Sequence, residues 1–180
     1  MTDPAEPSCC CCGTDAAGDQ VCRVCGTPGT AVPAITVETL VAPDRRSRLA
    51  SLEGFASCRT PDCQVAYFAN ERNEYIDKAD LTVRIGVKEP DDPAFLCYCF
   101  GWTKRMVDDE VARTGTSSAV RVITERMRST GCACERTNPS GRCCLQDVQT
   151  YAALAAERAA TMDAFVPLMQ DGHQTQRPRS

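Results

Sequence analysis

Fourteen cysteines in 180 residues constrain this chain more than any other feature. Six of them stand as three tight pairs, Cys97 with Cys99, Cys132 with Cys134, and Cys143 with Cys144, the first separated from the others by a stretch that reads as helical. Four thiolates brought together from two separate segments are what a cluster of iron and sulfide requires. Two adjacent residues seldom both ligate one small cluster, so one of Cys143 and Cys144 is spare. A similar choice stands between Cys132 and Cys134. Buried inert thiols would not account for three such pairs.

This density of cysteine approaches that of disulfide scaffolds. Yet Met1 to Cys12 shows neither a basic start nor an apolar run, so no secretory signal is expected. No stretch offers the ~20 apolar residues of a membrane span. A cytoplasmic, reducing setting is therefore expected, where such cysteines bind metal or carry redox chemistry. The net charge of −4 and the lack of a basic stripe argue against nucleic acid as a partner. Arg121, Arg126 and Arg128 read as the solvated face of a helix, and Asp108, Asp109 and Glu110 as a solvated acidic face. The one histidine, His173, lies in a polar tail. That excludes a Rieske centre, removes the general base of Ser-His and Cys-His catalysis, and leaves sulfur as the ligand for any tightly held metal. A redox or electron-transfer protein is expected rather than a bond-making enzyme.

A separate set of cysteines lies in the front half. Cys22-Arg-Val-Cys25-Gly has the form of a zinc knuckle, and Cys58 with Cys63 can complete a tetrahedral four-thiolate zinc site. A rival site uses Cys9, Cys12, Cys22 and Cys25, but leaves Cys58 and Cys63 without a role. The run Cys9-Cys10-Cys11-Cys12 offers soft thiolates of the kind that select Cu(I).

The fold class expected is α+β: a small zinc-stapled β-hairpin or meander, then a helical cluster-binding half ending in a C-terminal helix. Residues 1–20 form a flexible Cys-rich leader, 21–90 a β-rich zinc subdomain, 91–168 a helical subdomain, and 169–180 a disordered tail. Ile35, Val37, Leu40 and Val41 form a short apolar element, and Arg45 to Leu52 a weak helix after Pro43. Strands are expected at Gln64–Phe68, at Tyr75–Ile76 and at Thr82–Ile85, with a proline-stiffened linker from Lys88 to Pro93. Thr103 caps a helix to about Arg113 with Met106, Val107 and Val111 on one face, and Gly115 stops it. Ser117 or Ser118 caps a second helix, which Gly131 ends. Leu145 to about Phe165 is a third, with Leu145, Val148, Ala152, Ala155 and Ala159 in register. Cys97 and Cys99 ahead of one helix and Cys144 at the start of another stand where backbone N–H groups and the helix dipole stabilise thiolates.

Taken in order, several segments carry a family resemblance: Cys22-x-x-Cys25, then Cys58-x4-Cys63 leading into Val65-Ala-Tyr-Phe68, and Val83-Arg-Ile-Gly86-Val-Lys-Glu89. Cys97-Tyr-Cys99-Phe100-Gly101 and Asn138-Pro-Ser-Gly-Arg-Cys143-Cys144 complete the series. Over about residues 20 to 150 the chain resembles the N-terminal domain of CopZ-type copper chaperones, whose cluster half is similar to bacterioferritin-associated ferredoxins. The resemblance implies Cys97, Cys99, Cys134 and Cys144 on a [2Fe-2S] cluster, and Cys22, Cys25, Cys58 and Cys63 on Zn2+. Two-domain members of that family also carry a heavy-metal-associated domain with a Met-x-Cys-x-x-Cys loop, whereas no cysteine follows Cys144 here. The expected role is thus the redox half of metal, chiefly copper, homeostasis: a one-electron partner reducing Cu(II) to Cu(I) for a separate metal carrier or redox protein. The alternative is a bacterioferritin-associated-ferredoxin-like docking or sensing module. A cysteine-rich metal buffer, supported by Cys9 to Cys12 alone, comes third.

Overall fold

The computed structural model describes residues 20–165. The leader thiols Cys9, Cys10, Cys11 and Cys12, His173 and the tail at 169–180 lie outside the described residues.

The front half is a four-stranded antiparallel meander, β1 (Thr30–Ala31), β2 (Ala56–Ser57), β3 (Val65–Ala69) and β4 (Glu74–Asp77), in sequence order. Only β3 and β4 are of usual length. All five residues of β3 are buried, because the strand is covered on both sides. Tyr67 and Ala69 join Val37, Phe55 and Ile76 in one core. Val65 and Phe68 join Cys22, Cys58 and Cys63 in another. A bulge between Val65 and Tyr67 permits this departure from simple alternation. The β3–β4 turn is a 3-10 turn over Asn70–Arg72, closed by Asn73 in the left-handed region.

Three expectations for this half need correction. The helix expected over Arg45 to Leu52 is a single turn, α2 (Pro43–Arg46), which follows the short apolar element at Ile35 to Val41, itself the helix α1 (Ala34–Leu40). Thr82–Ile85 is not a strand. Its neighbour Leu81 makes one bridge to Val41, Thr82 N–H donates to the Leu40 carbonyl, and the Arg84 carbonyl accepts from the Tyr98 hydroxyl. The backbone groups that a ladder would use are thus satisfied elsewhere. The expected linker from Lys88 begins inside a 3-10 turn, Gly86–Lys88, and Lys88 itself is buried.

The back half opens with a hairpin that alternation did not reveal, β5 (Phe95–Cys97) and β6 (Trp102–Thr103). Helices α3 (Lys104–Thr114) and α4 (Ala119–Thr130) follow, then the single turn α5 (Cys134–Thr137) and the long α6 (Leu145–Phe165). The Thr103 hydroxyl accepts from Met106 N–H, as expected of an N-cap, and Gly115 at φ 79° ends α3 in a conformation unfavourable to side chains. Val107 and Val111, one turn apart, are buried with Ile123, Val148 and Ala155; Met106 is instead exposed, being a hundred degrees off that face. Ser118 stands at the α4 N-cap without a side-chain bond; Ser117 Oγ accepts from Ala119 N–H instead.

Glu110 supports the α3–α4 turn from behind. Its carboxylate accepts from Ser118 N–H at 2.9 Å and from Ser117 Oγ at 3.0 Å. Hydrogen bonding from Ser118, followed by lesser contributions, holds its pKa below the usual value. A depressed carboxyl stabilises the fold above its unfolded value, about 4.3, and loses that contribution as pH falls through the folded value. Glu110→Gln should therefore be less stable than wild type at neutral pH and converge with it in acid, as urea titrations at both pH values would show.

The two halves are joined by polar ties to the α5 region. Tyr67 Oη donates to the Pro139 carbonyl at 2.8 Å, Thr36 Oγ1 to Glu135 at 2.6 Å, and Thr39 Oγ1 to Arg136 at 3.1 Å. Tyr67 is fully buried, and burial raises its pKa, so the phenol is a permanent donor. Tyr67→Phe leaves a buried carbonyl without its partner and should cost about 1–3 kcal/mol in urea unfolding.

Candidate metal centres

The knuckle Cys22–Cys25 sits in a tight turn: Gly26 N–H donates to the Cys22 carbonyl at 2.7 Å, and Cys22 N–H to Thr27. Across from it, Cys58 continues from β2 and Cys63 leads into β3. The sheet thus holds one pair of thiols while the turn presents the other. All four Sγ atoms lie within 4.8 Å of one another. Cys25 and Cys58 are 3.6 Å apart, and Cys22 and Cys63 4.0 Å. Zn–S bonds of about 2.3 Å in a tetrahedron give an S···S edge of about 3.8 Å, which these separations bracket. Cys22, Cys58 and Cys63 are buried and Cys25 half-buried.

Hydrogen bonding and burial divide the thiols. The Thr60 hydroxyl, 3.3 Å from Cys25 Sγ, chiefly lowers that pKa to about 6. Burial pushes Cys63 up to about 12 and raises Cys22. A thiolate at Cys25 would give a divalent ion its first ligand, with the other thiols ionising on binding. The alternative quartet with Cys9 and Cys12 would have to give up Cys58 and Cys63, which this geometry already supplies.

Lys88 is the residue here that sequence reasoning missed. It is 3% exposed, and its ammonium lies 2.6 Å from the Thr60 carbonyl, 2.9 Å from the Cys63 carbonyl and 3.7 Å from Cys58 Sγ. Its three donors face three acceptors. Four thiolates on a divalent ion carry excess negative charge, and a buried cation against one sulfur offsets part of it. Nothing in the local pattern marks a lysine among Gly86, Val87 and Glu89 as buried.

The other cysteines meet in the back core. Cys97, Cys134 and Cys144 are buried among Val107, Ile123 and Val148, with Cys99 at their edge. Cys99 and Cys134 Sγ are 3.7 Å apart. Cys99 also accepts from Ala133 N–H at 3.3 Å and contacts Thr137 Oγ1 at 3.2 Å. Cys144 contacts both Cys97 and Cys134 through its thiol. Those contacts raise the Cys144 pKa, while its hydrogen bond lowers Cys134 to about 5 and Cys97 in the same direction; burial raises Cys99. Cys144 immediately precedes α6, with its carbonyl accepting from Val148 N–H at 3.0 Å. Cys132 and Cys143 are half-buried. Cys132 packs on the rim of this core.

The remaining candidates are structural. Asp108 accepts from Tyr151 Oη at 2.8 Å and from Arg158 at 3.2 Å, Glu110 serves the turn, and Asp109 is exposed, so the three acids do not converge. Arg121 pairs with Glu125 one turn on, Arg126 lies over the Phe100 ring, and Arg128 is exposed. Among the described residues no helix is long and apolar enough to cross a membrane.

A small antiparallel sheet stapled to helices, with a four-thiolate centre of tetrahedral size, defines a cysteine-rich metal-binding protein of mixed α/β fold. Residues 19–82 match the CopZ-type family described as zinc binding domain. The chain is 35% identical over 123 residues to the copper chaperone CopZ of Archaeoglobus fulgidus, a match covering 68% of this chain and 57% of that protein. It thus spans little more than half of that relative. The X-ray structure of the Archaeoglobus fulgidus CopZ N-terminal domain superposes with a TM-score of 0.61 at 32% identity, covering 73% of this chain and 96% of that one. The chain belongs to the family of CopZ N-terminal domains.

Proposed function

We propose that this protein serves copper homeostasis as a two-centre metalloprotein. Cys22, Cys25, Cys58 and Cys63 hold a structural Zn2+. Cys97, Cys99, Cys134 and Cys144 hold a [2Fe-2S] cluster that passes single electrons. The observation carrying this reading is the contrast between the two thiol sets. The front quartet draws within 4.8 Å, with two opposite edges of 3.6 and 4.0 Å that suit one tetrahedral ion. The back set gathers from β5, α5 and the start of α6 into one buried core, with Cys99 and Cys134 Sγ 3.7 Å apart, and among the described residues only the front four draw within 4.8 Å of one another. A two-iron core shares its four thiolates between two metals, so it needs a more extended set. The N–H of Ala133 and the hydroxyl of Thr137 at Cys99 are the donors that tune such a cluster.

When bound, the cluster supplies a one-electron couple, which matches Cu(II)/Cu(I). The copper ion is substrate: it gains the electron the reduced cluster loses and leaves as Cu(I) for a separate carrier. The leader thiols Cys9 to Cys12 suit the reduced ion and provide its docking point. Dithionite-reduced protein, freed of excess reductant and mixed anaerobically with Cu(II), should regain the stronger visible absorption of the oxidised cluster and yield Cu(I) to a specific chelator. Deleting residues 1–13 should weaken copper retention and leave the cluster spectrum unchanged. Iron loss without Cu(I) beyond that made by free thiols would reject copper reduction, leaving the ferredoxin-like docking role.

A further inference from the structure

The Gly86–Lys88 turn meets the front thiols directly and the back set through Tyr98. At one end, Lys88 Nζ binds the carbonyls of Thr60 and Cys63 and sits 3.7 Å from Cys58 Sγ. At the other, Gly86 N–H donates at 2.8 Å to the hydroxyl of Tyr98, the residue between Cys97 and Cys99. That hydroxyl in turn donates at 3.0 Å to the Arg84 carbonyl. The turn also lies directly on β5: a Cβ added at Gly86 would stand 1.9 Å from the Phe95 carbonyl oxygen.

From this geometry we infer that Tyr98, Gly86 and Lys88 are positioning residues that couple the two centres. Metal at Cys22, Cys25, Cys58 and Cys63 fixes Lys88. The turn then fixes Tyr98, and Tyr98 fixes the backbone that presents Cys97 and Cys99. The inference rests on the front quartet's binding zinc. Such coupling is reciprocal, so a change at Tyr98 must weaken zinc binding although Tyr98 touches none of the four zinc thiols. Cys97 is 1% exposed and reacts only when its surroundings open locally, so zinc removal should raise its reactivity.

The test uses the full chain as purified, with zinc affinity read by competition with a chromophoric chelator. Tyr98→Phe should still bind zinc stoichiometrically but at least about fivefold more weakly, the low end of ordinary coupling. Lys88→Met should weaken it as well and guards against a folding defect peculiar to Tyr98→Phe. Thr36→Val, which removes a tie between the halves outside the turn, should stay within about twofold of wild type. In portions of the same samples freed of iron, so that no cluster covers the thiol, chelating zinc should speed iodoacetamide labelling of Cys97 in wild type more than in Tyr98→Phe. Unchanged affinity in well-folded Tyr98→Phe, or equal sensitivity of Cys97 labelling to zinc in both proteins, would overturn the coupling while leaving the zinc reading intact. A chain that takes up no zinc would overturn that reading and the coupling with it.

Discussion

Replacing Cys58 by alanine should strip the chain of zinc and unfold the sheet from Thr30 to Asp77. Two of its four strands are two residues long, and an isolated ribbon of that size has little stability of its own. Half of the buried residues in its second core are cysteines, which contribute far less as free thiols than as ligands. Structural zinc supplies roughly 10–16 kcal/mol of apparent binding energy, and here that energy is folding energy. Lys88 would also lose the one sulfur it faces and keep only the Thr60 and Cys63 carbonyls. Metal analysis should fall from about one zinc per chain to a small fraction, with earlier urea unfolding of the front half. The rival quartet predicts the reverse: if zinc stays stoichiometric in Cys58→Ala and disappears in Cys12→Ala, the ion belongs to Cys9, Cys12, Cys22 and Cys25.

What could be read from the residues, and what could not, follows from where the deciding interactions act. The helices α3, α4 and α6 were legible because their signals are local: Thr103 and Gly115 bracket one, Gly131 stops another, and Val148 and Ala155 repeat on the face of a third. Strand β3 was legible for the same reason, its β-branched and aromatic run being unambiguous. The third strand failed because Thr82–Ile85 alternates like a strand, while the partners that satisfy its backbone, Leu40 and Tyr98, are remote in sequence. β1 and β2 are too short to carry a period. The front thiols could be grouped from Cys-x-x-Cys spacing and from the lack of any other role for Cys58 and Cys63, while their convergence within 4.8 Å is a property of the assembled sheet. Lys88 was beyond sequence reasoning, since only the assembled Thr60–Cys63 loop makes its place polar.

Cys134→Ser should abolish the iron–sulfur chromophore, whereas Cys143→Ser and Cys132→Ser should keep most of it. Anaerobically purified wild type should be brown, with about two iron and two acid-labile sulfide ions per chain. Cys134 is buried in the back core 3.7 Å from Cys99, and hydrogen bonding with Cys144 lowers its pKa. A serine there supplies a harder, more basic oxygen and removes the sulfur that links one pair of ligands to the other. Cys143 is the neighbour of Cys144 but is not part of the core around Val107, Ile123 and Val148. Cys132 lies at that core's rim, two residues before Cys134, and is the stronger candidate for substitution. If Cys132 could replace Cys134, the Cys134→Ser variant would retain a cluster with altered absorption, and the double variant would lose it. Retention of full colour and unchanged spectra in Cys134→Ser would show that the ligand set was misassigned. A colourless wild-type chain that cannot be reconstituted with iron and sulfide would remove the cluster altogether. The back thiols would then be the reduced cysteines of a metal buffer or docking module, and no electron would be available for copper.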